Sequence, residues 1–160
     1  MKWLSISALS FILIFALGGQ ASAQTQMTST GTNYAAMNMH VTPLDKEHWV
    51  ATAEQEGIRV DDTGKGPFHL LSTDIRFIFY NDKDGMQYHG YETHTDKDGD
   101  RVIWEIWGIP GTNKGKGKVI GATGKFAGME GTMDFEVVAG SSQDRTVCKE
   151  YMKLTLKAPL

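Results

Sequence analysis

The chain has 160 residues, 41% hydrophobic and 22% charged, ordinary globular proportions that exclude a disordered chain. Sixteen Lys+Arg against nineteen Asp+Glu leave a net charge of −3, and that mild acidity argues against nucleic acid as the main partner. A single cysteine excludes an intrachain disulfide framework and a CxxC zinc site.

The first segment reads as an address. Residues 1–23 are MKWLSISALSFILIFALGGQASA. Lys2 supplies the positive start, Leu9–Leu17 the apolar core, and Ala21-Ser22-Ala23 a small-x-small cleavage site. Gln24 is therefore the expected mature N-terminus, and the periplasm or the medium the expected destination. The apolar run is too short to span a bilayer comfortably and no other segment comes close, so no membrane contact is expected after cleavage. Residues 24–33 (QTQMTSTGTN) are small and polar and read as a flexible lead-in to one domain over 34–160.

From Tyr34 the apolar period is two. Strands are predicted over 34–41, 49–60, 68–80, 86–95, 101–109, 115–121, 131–139 and 147–157. Turn signals separate most of them: Asp61-Asp62-Thr63-Gly64, Asn81-Asp82-Lys83-Asp84-Gly85, Asp96-Lys97-Asp98-Gly99, Pro110-Gly111-Thr112-Asn113 and Ala139-Gly140-Ser141-Ser142. Only Thr42–Val50, with Pro43 early, has the makings of a helix start. Ile75, Phe77 and Phe79 share one strand face; so do Met133, Phe135 and Val137, and Met152, Leu154 and Leu156. The stretch 102–109 differs, because Val102, Trp104 and Ile106 oppose Ile103, Glu105, Trp107 and Ile109, so both faces are apolar and one carries a carboxylate. Many short strands of even length predict an all-β chain, an eight-stranded antiparallel β-barrel with room inside for side chains or one small ligand.

Several motifs fail on spacing. The Gly-Lys run over 115–125 lacks the first glycine of a P-loop, since position 119 is Val, and no helix follows it. Asp96–Asp100 resembles half of a calcium loop with its glycine one residue early, and a hairpin turn reads better. His40, His48, His69, His89 and His94 form no HxH or HxxxH pair, so no metal is predicted. No Gly-x-Ser-x-Gly elbow supports a serine hydrolase. What remains is an aromatic and acidic set: His69, Phe77, Phe79, Tyr88, Tyr91, Glu92, Trp104, Glu105 and Trp107. Singly, each reads as core or surface; together they have the make-up of an apolar pocket with a few polar groups. A carboxylate in such surroundings would have a raised pKa and could act as acid or base. Cys148 reads as a buried small hydrophobe, with an intermolecular disulfide or a reactive thiol as the sharper alternatives.

The segment Gly121-Ala122-Thr123-Gly124-Lys125-Phe126-Ala127-Gly128-Met129-Glu130-Gly131-Thr132 resembles the GGTGKFAGxxGxG signature of the allene oxide cyclase-like barrels, whose superfamily includes the dirigent proteins. Thr95-Asp96-Lys97-Asp98-Gly99-Asp100 resembles the TDxDGD hairpin of small secreted bacterial relatives. Gly66-Pro67-Phe68-His69 and Gly90-Tyr91 also fit the pattern, which covers about 65–140. Ala122 departs from it, and the cysteines often found near 74–76 and 92–94 are missing. The resemblance implies an eight-stranded barrel with an apolar interior, often dimeric or trimeric. Its signature residues here are Asp98, Gly99, Asp100, Gly121, Thr123, Gly124, Lys125, Phe126, Gly128 and Gly131.

Three functions follow as expectations. The first is a secreted or periplasmic barrel that binds a small apolar molecule through His69, Phe77, Phe79, Tyr91, Trp104 and Trp107. The second is a cyclase or isomerase of the allene oxide cyclase type, with Glu105 as acid/base by parallel with a Glu inside the plant barrels. The third is a homo-oligomeric interaction module built on the two-sided strand 102–109. No cofactor is implied.

Overall fold

The computed structural model describes residues 24–82, 85–141 and 144–156. The expected signal peptide, residues 1–23, lies outside them. Eight strands follow in order: β1 (Thr25–Pro43), β2 (Trp49–Asp61), β3 (Leu71–Asp82), β4 (Gly85–Thr95), β5 (Arg101–Gly108), β6 (Lys114–Ala122), β7 (Glu130–Ser141) and β8 (Arg145–Leu156). Each pairs antiparallel with the next, and β8 pairs with β1 to close an eight-stranded barrel. Closure gives every strand a hydrogen-bonded neighbour on both sides.

Two expectations need correction. Residues 25–33 are not a flexible lead-in: they form the first half of β1 and pair with β8 from Thr25↔Leu156 to Asn33↔Cys148. The residues that turn inward there are Met27, Ser29, Gly31 and Asn33. Met27 packs against the core, but Ser29 and Asn33 bond polar partners inside, so the apolar alternation that marks a strand is absent. The segment Thr42–Val50 forms no helix. Asp45 Oδ1 accepts the backbone N–H groups of Glu47 and His48 at 2.8 Å, which bends the chain into a short loop instead.

Register is adjusted by two bulges. Ile103 faces Gly121 but Trp104 faces Val119, so Ile120 is the extra residue on β6. Val137 faces Cys148 but Ala139 faces Val147, so Val138 is the extra residue on β7. The two-sided strand β5 is resolved by this register. Val102, Trp104 and Ile106 are at most 1% exposed and lie inside. Ile103, Glu105 and Trp107 lie on the outer surface.

One end of the barrel is packed solid. Phe68, from the β2–β3 loop, meets Phe126 with ring centroids 5.4 Å apart, and Leu71, Val102, Met129, Leu154 and Leu156 surround them. Phe126 is delivered by a single 3-10 turn, Gly124–Phe126. The signature residues explain the delivery. Asp100 Oδ2 accepts the Lys125 backbone N–H at 3.1 Å, and Thr123 Oγ1 accepts that of Arg101 at 2.9 Å. The Lys125 ammonium pairs with Asp96. The hairpin 96–100 and the glycine-rich turn, apart in sequence, are thus one clasp. Gly99 (φ +87°) and Gly124 (φ +56°) sit in the left-handed region that this clasp requires.

Candidate functional site

The other end of the barrel is open. A cavity of about 520 Å³ extends inward from it, within the range typical of small-molecule sites. Its walls come from inward positions of β3, β4 and β7. Phe77, Phe79 and Tyr88 form a three-ring cluster with centroids 5.3 to 5.7 Å apart, and Phe135 stands 6.3 Å from Tyr88. Met37, Met39 and Met86 add adaptable apolar surface. The Tyr88 hydroxyl is buried without a hydrogen-bond partner among the described residues, and burial raises its pKa.

The floor is polar, and it separates the cavity from the packed end. Glu92 on β4 and Glu150 on β8 both face the cavity. Glu92 Oε1 accepts from Asn33 Nδ2 at 2.9 Å and lies 2.9 Å from His94 Nε2. Glu150 Oε2 accepts from Arg59 Nε at 2.8 Å. Arg59 also donates to the Phe68 carbonyl (2.6 Å) and to Ser29 Oγ (2.9 Å), and Ser29 donates to Asp61 at 2.5 Å. Gln55 donates to Thr146 at 3.1 Å. Burial pushes the Glu150 carboxyl up to about 7; the Glu92 carboxylate adds to the rise, while His94 and Arg59 oppose it. The Cys148 thiol also faces the cavity. Burial, reinforced by Glu150 and Glu92, drives its pKa upward, so the thiolate chemistry of a reactive cysteine is suppressed.

No protein-family model matches the chain, and no curated protein matches it. Solved structures do. The pterocarpan synthase dirigent protein GePTS1 superposes with a TM-score of 0.56 at 10% identity, over 84% of this chain and 88% of that one. The pterocarpan synthase dirigent protein PsPTS1 gives a TM-score of 0.54 at 14% identity, over 88% and 99%. The fold is the dirigent-like barrel. At these identities the likeness concerns architecture, and the site must be argued from the residues of this chain.

Within the dirigent-like barrel the expected site residues separate. Phe77 and Phe79 line the cavity. Trp104 is inside and fully buried, but it packs against His94 (centroids 5.9 Å) in the layer below. His69 lies in the β2–β3 loop that caps the packed end. Tyr91, Glu105 and Trp107 lie on the outer surface, because the inward parity of β4 and β5 belongs to Gly90, Glu92, Trp104 and Ile106. Glu105 is therefore not an interior carboxylate. It bonds Lys118 at 2.7 Å and His89 at 3.0 Å, and Lys118 foremost and then His89 hold its carboxyl below the usual range.

The residues that form the floor were only partly anticipated. Glu92 belonged to the aromatic and acidic set; Arg59, Asn33, Gln55, His94 and Glu150 did not. A signal for Glu150 was present. It continues the inward face of Met152, Leu154 and Leu156, so a charge stands where the alternation calls for an apolar residue. Glu92 and His94, two apart, share a strand face for the same reason.

Proposed function

We propose that the protein binds a small, largely apolar molecule inside the barrel, with any polar group of that molecule directed at the floor. The observation that carries this reading is the open-ended cavity with aromatic walls and hydrogen-bonding groups at its base. The outer carboxylate Glu105 has no part in it; a reaction in this space would draw on Glu92 and Glu150, the carboxylates that face it. With residues 1–23 read as a cleaved signal peptide, the ligand is met in the periplasm or outside the cell. Turnover is a second reading, favoured by the fold shared with two proteins named as pterocarpan synthases.

Binding is tested with a neutral apolar dye, Nile red, and by native mass spectrometry of the purified chain. One dye per chain, or one retained small molecule, is the expected result. Val137→Trp places an indole in the cavity and should weaken the dye at least tenfold. A wild-type protein with an intact β spectrum that neither retains a molecule nor takes up the dye would overturn the reading.

A further inference from the structure

We propose that Glu92, His94 and Glu150 form a site for one divalent first-row metal ion at the floor of the cavity. One ligand atom from each residue lies within 4.8 Å of the others. All three residues are buried, at 3%, 0% and 2% exposure. Glu92 Oε1 and His94 Nε2 are 2.9 Å apart. That is close to the separation of two ligands about 2.1 Å from one ion and roughly at right angles to each other. Both come from the inward face of β4, while Glu150 comes from β8, which is not a neighbour of β4 in the sheet. An ion here would cross-link two walls of the barrel.

The surroundings fit a metal site in three respects. The carboxylates are held by outer partners, Glu92 by Asn33 and Glu150 by Arg59, and Asn33 Oδ1 is fixed in turn by the Thr73 hydroxyl at 3.1 Å. Such partners orient metal ligands. Next, Glu92 and Glu150 face the cavity, so coordination positions not filled by protein open onto the ligand space. Finally, charge is unbalanced. The Arg59 guanidinium pairs with Glu150 and Asp61, while Glu92 has no Lys or Arg partner among the described residues. An uncompensated buried carboxylate is costly, and a bound cation would offset that cost. His94 departs from the usual pattern in one respect, because a metal-bound imidazole ordinarily donates its other ring N–H to an outer partner. It is fully buried, yet Nδ1 has no hydrogen-bond partner among the described residues, so only the Glu92 contact holds the ring through its nitrogens. The donor set, two carboxylates and an imidazole, suits Zn²⁺, Mn²⁺, Fe²⁺ or Co²⁺ better than the soft Cu⁺ or the oxygen-loving Ca²⁺ and Mg²⁺. The inference is independent of the organic ligand. Its rival is a plain buried ion-pair network neutralised by protons.

The test uses the full chain without a histidine tag, stripped with chelator and titrated calorimetrically with Zn²⁺. One ion per chain, with a dissociation constant of about micromolar or below, is expected. Glu92→Gln and Glu150→Gln should each weaken it at least a hundredfold. His89→Ala, which removes the exposed His89–Glu105 pair as an adventitious site, should change nothing. X-ray absorption of the Zn²⁺-loaded wild type keeps the question open to decision if a Gln variant fails to fold: an inner shell that includes one imidazole supports the site, and a shell of oxygen alone overturns it. Absence of binding by the wild type, survival of binding in both folded Gln variants, or its loss in His89→Ala would equally overturn it.

Discussion

Arg59 on β2 reaches Glu150 on β8, Nε to Oε2 at 2.8 Å, across the intervening strand β1. The contact exists because β1 carries a glycine at the crossing point. Gly31 is opposite both Asp61 and Glu150, and a Cβ there would lie 2.7 Å from the guanidinium carbon. β2 and β8 thus share one buried charge cluster across β1, with Arg59 its guanidinium.

Removing that guanidinium should be severe. Arg59→Met leaves Glu150 and Asp61 without their cation and frees the Phe68 carbonyl. Breaking one side of a buried pair costs about 3–5 kcal/mol. Urea denaturation of the variant should show a loss of that size near neutral pH. A loss below about 1 kcal/mol, the ordinary worth of an exposed pair, would mean that the cluster is well hydrated in solution.

Two signature glycines should respond unequally. Gly124 has a φ of +56°, and a Cβ on it would lie 1.6 Å from Asp100 Oδ1. Gly124→Ala therefore adds backbone strain and displaces a carboxylate that is bonded to Lys125, and should cost about 2 kcal/mol or more. At Gly121 the nearest atom to a new Cβ is Ile103 Cδ1, 3.6 Å away, an ordinary contact. Gly121→Ala should change stability by no more than about 0.5 kcal/mol. Thermal or urea melts of the two variants side by side give the comparison, and equal losses would contradict it.

The clasp should also weaken in acid. The Lys125 ammonium, through a hydrogen bond to its side chain, together with the N–H groups of Asp98 and Asp100, holds the Asp96 carboxyl below its ordinary value despite burial. A carboxyl depressed in the folded state contributes stability above its unfolded pKa and loses it as pH falls through the folded one. The stability gap between wild type and Asp96→Asn should therefore be full at about pH 5 and above and shrink as pH falls below about 4. Paired urea melts across that range test the sign. A gap that is constant with pH would show that the pair does not form.

Strand number, most strand positions and the inward faces of β3, β7 and β8 were legible in the chain, because apolar alternation in those strands is regular. The β1 start was not, because Ser29, Gly31 and Asn33 are inward residues chosen for a polar interior. The clasp motifs were visible as a family pattern, but not that Asp100 and Lys125 bond each other. Phe77 and Phe79 were found as cavity residues from their shared face. Glu105 was misplaced because β5 is apolar on both faces, and no local rule says which face turns in.

By itself the sequence determined an all-β chain of eight strands. Period-two patterning and turn glycines are local properties, read within about ten residues. Only the tertiary structure decided what occupies the interior. Closure of β8 on β1 sets the register of every strand, and register turns Glu92, with Glu150, toward the cavity and Glu105 away from it. It also brings Arg59 and Glu150, 91 residues apart, within a hydrogen bond of each other. Burial of that pair, and of His94 beside Glu92, is a consequence of long-range packing, which alternation within a strand cannot encode.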